Sequence, residues 1–429
     1  MALTRRNIII LGILFIILIQ VLVYVRVLPG RKAEQPPSAD LTFWGFQDDA
    51  DIWREVFKDF QTKYPGISIA YTHLDAENYD ETLLNKIAEG KGPDIFMLPT
   101  SLLLKYKEKI YPFPQQALAF SARDFSSIFV DGTAADLVSP NNDIFGFPLF
   151  IDTPVLFYNK DMFNAAGIAQ APRNWDEAVA ISRQLTEKNA VGEIVKSGLP
   201  IGTYRNVDNA FEIISSLMLQ EGDPIINPAP APRVVLGDGG AKGLALYTSF
   251  ADPLDKNFSW SNRLPDSLTA FAQGTSVFAI GFFDDIARVR AINPHINLGI
   301  APFPQKKGAS FPVVFGRYSF PTVSKFTQNP LAAWQFVNYI TRDEGASTYL
   351  KTTNRPPARR DLLASGKAPI PELDTFYRQA LIAKAWPMPD SVATQHLFEE
   401  AINSIVSRTT TSYQAVQNMK QRLDLLLPH

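Results

Sequence analysis

The chain of 429 residues contains no cysteine. Disulfides, thiolate metal sites and a cysteine nucleophile are therefore excluded, as is the lipid-bearing cysteine that many bacterial surface proteins carry just after an export signal. Histidine is scarce: His73, His295, His396 and His429 each lack a second ligand at metal-site spacing. Neither sign of charge dominates. Lys and Arg total 41 against 43 Asp and Glu, a net charge of −2, so there is no basic stripe for nucleic acid and no acidic tail. Catalytic signatures are missing as well. GDGGAKG (from Gly237) and GKGPD lack the Gly-Lys-Ser/Thr of a phosphate loop, and no G-x-G-x-x-G, H-E-x-x-H or G-x-S-x-G occurs. Adjacent acids at Asp48-Asp49, Asp284-Asp285 and Glu399-Glu400 suit helix starts better than a catalytic pair. No cofactor is implied.

What is present begins at the N-terminus. Residues 1–7, with Arg5 and Arg6, form a basic cytoplasmic n-region, and the run from Ile8 to Val25 is apolar except for Gln20. Residues 8–28 are long enough to cross a hydrocarbon core. Leu28-Pro29-Gly30 follows without a small-residue cleavage pattern, so the segment reads as an uncleaved signal-anchor instead of a cleaved signal peptide. The Thr4–Ile8 stretch is only faintly like a twin-arginine signal and reads as an ordinary n-region. Residues 29–40 are polar and proline-bearing, a tether to the folded body.

The remaining length suits two lobes. LTFWGF (Leu41–Phe46) reads as a strand, followed by a helix with Ile52, Val56, Phe57 and Phe60 on one face. ISIAY (Ile67–Tyr71) is a second strand. A helix with Tyr79, Leu83 and Ile87 inward follows, then a third strand at Ile95–Leu98 closed by Pro99. This alternation predicts βαβ units and a mostly parallel sheet. Beyond residue 160, Asn174 is placed to cap a helix with Glu177 three residues on. Further helices and strands alternate to a helical C-terminal third. DPIINPAPAPRVV is a loop or an edge pairing.

The stretch IFGFPLFIDTPVLFYNKD (Ile144–Asp161) sets Asp152 between Pro148 and Pro154 inside an apolar run. A buried unpaired charge is costly and proline is unwelcome in a sheet. Both fit a segment that crosses between two α/β regions with its middle outside any sheet. Ligand sites favour such junctions and the carboxyl ends of parallel strands. Asp152 is thus a candidate contact, or else a solvated turn acid. Aromatic residues beside loop polar groups extend the candidate set: Trp44 with Gln47 and Asp48, Thr100 past the third strand, Tyr204-Arg205-Asn206, Phe282-Phe283-Asp284, Arg317 with Tyr318, and Trp386. Sugars offer apolar C–H faces ringed by hydroxyls, which such clusters suit; each aromatic alone is more often a core residue.

In order and spacing, LTFWG…FKDFQTKYPGISI, IAEGKGPDIFMLP, FGFPLFIDTPVLFYNKDMFNAAGI…NWDEA, FAQGTSVFAIGFFDD, LGIAPFP and AAWQFVNYIT resemble the extracellular solute-binding proteins of ABC importers, in the maltose-binding-protein-like family. The resemblance implies an α/β, two-lobed periplasmic-binding-protein-like fold of class II type, with hinge-crossing segments. The N-terminal lobe would comprise 41–147 and 303–358, and the C-terminal lobe 148–302 and 359–429. Position by position, Asp152 falls at a ligand-contacting carboxylate, Phe282 and Phe283 at a ring-stacking position, the Tyr204 loop at aromatic and acidic contacts, and Gln395 near another stacking position. Phenylalanine and glutamine stand at those stacking positions, which argues against maltodextrin itself. The implied protein is a monomer on the extracytoplasmic face of the membrane, anchored by residues 8–28, that passes a sugar or oligosaccharide to importer permease subunits. Two other classes stay open: a glycan-active enzyme using cleft carboxylates, and a ligand-binding sensor. An anionic ligand is also open through Arg205 and Arg317.

Overall fold

A computed structural model describes residues 38–227, 231–342, 344–364 and 368–427. The expected signal-anchor and nearly all of the tether lie outside the described residues. Among those described, no helix is long and apolar enough to cross a membrane.

The first sheet has the order Ser319–Val323, Ile95–Pro99, Ala39–Gly45, Ile67–His73. The three N-terminal strands run parallel, as their helical crossovers require; Ser319–Val323 closes one edge antiparallel. The helix Ala50–Lys63 buries Trp53, Val56 and Phe60. Its inward stripe is rotated from the expected one, leaving Ile52 and Phe57 half-buried, because Trp53 fills the space beside Phe43 and Tyr349 at ring distances of 5.2 and 4.9 Å. Tyr79, Leu83 and Ile87 are inward on the helix Tyr79–Ala88. Trp334, Val337 and Ile340 do the same on Pro330–Arg342. Each such burial contributes about 1.5–3 kcal/mol.

The second sheet is antiparallel throughout. Val155–Asn159 is its centre, flanked by Leu298–Ala301 and Phe278–Gly281. Asn174 caps the helix Trp175–Leu185 by accepting from the Glu177 amide, and the Glu177 carboxylate accepts from the Arg173 amide. The proline-rich excursion forms an edge pairing, Ile226–Asn227 against Arg233–Val234.

Two main cores result. One gathers residues from both the N-terminal 150 and the Tyr318–Leu363 stretch, and the other takes most of the rest, with a third cluster beside the second sheet. Chain passes between them at Ile151–Leu156, at Phe315–Tyr318 and at Ala385–Trp386. Phe303, Val314 and Phe315 pack in the second core, so the chain re-enters the first only after Phe315. Phe303 is held there by its amide donating to Gln379 Oε1 at 2.6 Å and by an edge-on contact with Trp175.

At the junction the helix Asp131–Leu137 rides directly on the strand Ala383–Lys384. A Cβ at Gly132 would stand 2.2 Å from the Ala383 carbonyl oxygen and 3.3 Å from Lys384 Cα. Backbone must move to admit it, so Gly132→Ala should destabilise by about 1–3 kcal/mol. Urea unfolding measures this; an unchanged midpoint would mean that helix and strand part freely.

Candidate functional site

The crossing strands build the site. Asp152 and Arg317 face each other as an antiparallel bridge: the Asp152 amide donates to the Arg317 carbonyl at 3.0 Å and the Arg317 amide to the Asp152 carbonyl at 2.9 Å. Behind them the Gly316 amide donates to the Lys384 carbonyl at 3.1 Å. The middle of this segment lies outside the strands of both sheets, but it is not exposed. Ile151, Asp152 and Thr153 are 1%, 5% and 1% exposed, because chain from both lobes packs over them. Only the Asp152 side chain reaches a cavity.

That cavity is a cleft of about 270 Å³ between the lobes. Of the expected contacts, Gln47, Thr100, Asp152, Asp284, Arg317, Trp386 and Gln395 line it. Asp152 accepts from the Thr153 amide (2.9 Å) and the Phe283 amide (3.3 Å). The Arg317 guanidinium lies 3.6 Å over the Phe282 ring and pairs with no carboxylate among the described residues. Gln47 Oε1 is buried without a hydrogen-bond partner among the described residues. Trp386 is buried against Phe398, its Nε1 donating to Ser215 Oγ at 3.3 Å.

The other expected contacts do not line the cleft. Trp44 packs on the first core and its carbonyl accepts from Tyr79. Asp48 is buried behind the cleft, accepting from the Tyr349 hydroxyl at 2.8 Å with Arg355 at 3.5 Å. Phe282 is wholly buried under Arg317, and the half-buried Phe283 sets its ring edge-on to Phe376; neither lines the cleft. Tyr204 packs on the second core, Arg205 pairs outside with Glu399, and Asn206 clamps the Ser261 and Leu264 carbonyls. These clusters hold loops in place.

Two charged residues of the cleft were not singled out from sequence, Glu212 and Arg355. Asn209, in the left-handed region at φ 60°, starts the helix Ala210–Gln220 and places Glu212 in its first turn. Asparagine tolerates that conformation better than most residues. Arg355 lies 4.6 Å from the Phe150 ring, within 3.5 Å of Asp48 and 3.8 Å of Asp284. The signal that marked Asp152 would have found only Glu212. Glu212 is a lone acid in the apolar FEIISSLMLQ, whereas Arg355 stands in the polar TTNRPPARR.

Burial pushes the Asp152 carboxyl up to about 7, with Arg317 opposing. Glu212 is raised by burial, again opposed by Arg317. Burial thus disfavours the charged form of both acids, and the cleft holds mixed donors and acceptors.

The family of bacterial extracellular solute-binding proteins matches residues 45–347, and the chain belongs to it. It is thus a solute-binding protein. A relative, the probable amino-acid ABC transporter periplasmic-binding protein y4oP of Sinorhizobium fredii, is 21% identical over 86% of this chain and 84% of its own. The crystal structure of the cyclic α-maltosyl-1,6-maltose binding protein from Arthrobacter globiformis superposes with a TM-score of 0.75 at 15% identity, over 91% and 99% of the two chains. The maltose-binding periplasmic protein MalE of Listeria monocytogenes, in complex with maltose, gives 0.72 at 18%, over 90% and 97%. Both share the two-lobed fold.

A pH effect follows from Asp152. Its carboxyl holds a proton in the folded protein up to about pH 7, whereas unfolded it releases it near about 4. Its contribution to stability is full below about pH 4 and is lost as pH rises to about 7. Asp152→Asn removes that loss. Urea unfolding at both ends of the window should show the variant gaining on wild type as pH rises, and a pH-independent difference would contradict it.

Proposed function

We propose that the protein captures a small neutral carbohydrate of one or two rings, closes its lobes on it and presents it to importer permease subunits, tethered to the membrane by residues 8–28. The observation that carries this reading is the balance of the cleft. Asp152, Glu212 and Asp284 stand with Arg317 and Arg355, and Gln47, Thr100 and Gln395 add neutral polar groups. Hydroxyls both donate and accept, so they can satisfy such a set without bringing charge. A hydroxyl donating to the buried Gln47 Oε1 also relieves an unmade hydrogen bond that costs about 1–3 kcal/mol. The volume, about 270 Å³, lies just below the range of ligand pockets, about 300–1,000 Å³, which suits a small solute.

Closure depends on a ligand that touches both lobes at once. Gln47, Thr100 and Arg355 belong to one wall, Glu212, Asp284 and Trp386 to the other, with Asp152 and Arg317 at the junction. One chain supplies the whole site, which fits a monomer. The solved structures named for maltose and a cyclic maltosyl-maltose support a sugar.

A zwitterionic amino acid is the second reading. It is favoured by Arg317, whose guanidinium stands over Phe282 and is available to a carboxylate, with Asp152 or Glu212 for the ammonium; the name of y4oP is consistent with it. Thermal-shift measurements against sugars, polyols and amino acids separate the two, since binding to the native state raises Tm. Shifts with amino acids alone would replace the carbohydrate reading. Calorimetry on Asp152→Ala and Arg317→Ala should then show at least about tenfold weaker binding. Wild-type affinity in both variants would remove the cleft from binding.

A further inference from the structure

Beside the polar cleft lies a second chamber of about 390 Å³. The two share Thr100 and Trp386 as lining residues, so they are neighbouring rooms of one interlobe space. Their chemistry differs. The second chamber is walled by Leu103, Leu104, Val138 and Phe145 from the first lobe and by Pro232 and Pro387 from the second. Its polar side chains Thr100, Lys107, Asp136 and Ser139 each meet a partner within the protein. Asp136 accepts from the Tyr318 hydroxyl at 2.8 Å, and the Lys107 ammonium stands 5.1 Å over the Phe145 ring.

We propose that this chamber binds an apolar substituent carried by the same ligand whose polar head fills the cleft, so that the solute is a glycoside with an aryl or other hydrophobic aglycone. This rests on the carbohydrate reading above. A second sugar ring would bring a rim of hydroxyls that aliphatic and proline walls leave unpaired, which is unfavourable. An apolar group loses nothing there and gains from the surface it removes from water. Continuity through Thr100 and Trp386 sets the connection: the glycosidic link passes between them. Since both lobes wall the chamber, its occupant adds to the contacts that favour closure.

The test compares 4-nitrophenyl and methyl glycosides of the same sugars (glucosides, galactosides, xylosides and maltosides) by calorimetry on the full-length chain. The 4-nitrophenyl compound of the preferred sugar should bind at least about tenfold tighter, the gain expected for burying a ring. Leu104→Gln makes the wall polar, and Ala135→Trp, at an exposed lining position, fills the chamber. Each should cut the preference below about threefold while leaving methyl glycoside affinity unchanged. If one variant fails to fold, the other decides, and the wild-type comparison needs neither. Equal affinities in the wild type, or a preference that survives both substitutions, would overturn the chamber alone. Binding by neither glycoside class would overturn the carbohydrate reading and this inference together.

Discussion

The two reciprocal backbone hydrogen bonds between Asp152 and Arg317 are the constraint on which the rest depends. They join two passages of chain between the cores, so the residues that fix the junction also send side chains into the cleft. The geometry tolerates little change. A Cβ at Gly316 would lie 2.9 Å from Ala383 Cβ and 3.0 Å from Ile151 Cδ1, so a residue without a side chain lets the three passages meet. Function and architecture are therefore set at one place, and a site residue here is not free to drift with a loop.

Much of this arrangement was legible in the residues, for reasons that differ by element. The helix of Tyr79, Leu83 and Ile87 and the Asn174 cap follow from local periodicity and capping chemistry, which need no partner. The stripe on Ala50–Lys63 turned toward Trp53 because the ring of Tyr349, remote in sequence, decides what fits beside it. The antiparallel second sheet is a matter of which strands meet, and periodicity is silent on that. Asp152 stood out as an acid in an apolar, proline-flanked run. Glu212 obeyed the same rule in a less conspicuous setting, whereas Arg355, in the polar TTNRPPARR, carried no such mark. The aromatic-plus-polar clusters misled because adjacency in sequence does not say which way a ring turns. Phe282 lies beneath Arg317 and Asn206 serves carbonyls of its own lobe.

The electrostatics of the cleft come from position more than from residue type. Three acids in and behind it sit in different surroundings. Asp152 is raised by burial even with Arg317 near and two amides donating to it, while Asp284 is 62% exposed and meets Arg355 at 3.8 Å. Asp48, behind the wall, is raised by burial against the opposing pull of Arg355 and the Tyr349 hydroxyl. Arg355 thus has a buried partner on its own side and an exposed one across the gap. The buried pair is part of the wall: removing one member leaves the other charge stranded.

That asymmetry bears on how the lobes are held. The ion pair from Arg355 to Asp284 across the cleft reaches a largely solvated carboxylate, and exposed pairs contribute only about 0–1 kcal/mol. It can bias the lobes toward each other without fixing them. The backbone bridge at Asp152 and Arg317 fixes where the passages meet but spends no side-chain donor or acceptor on doing so. The strong interactions still to be made in the cleft, at the Arg317 guanidinium, the Gln47 oxygen and the buried carboxyls of Asp152 and Glu212, are therefore those that a bound solute can complete. In the proposed mechanism the ligand, and not a pre-existing latch, supplies the difference in free energy between open and closed forms.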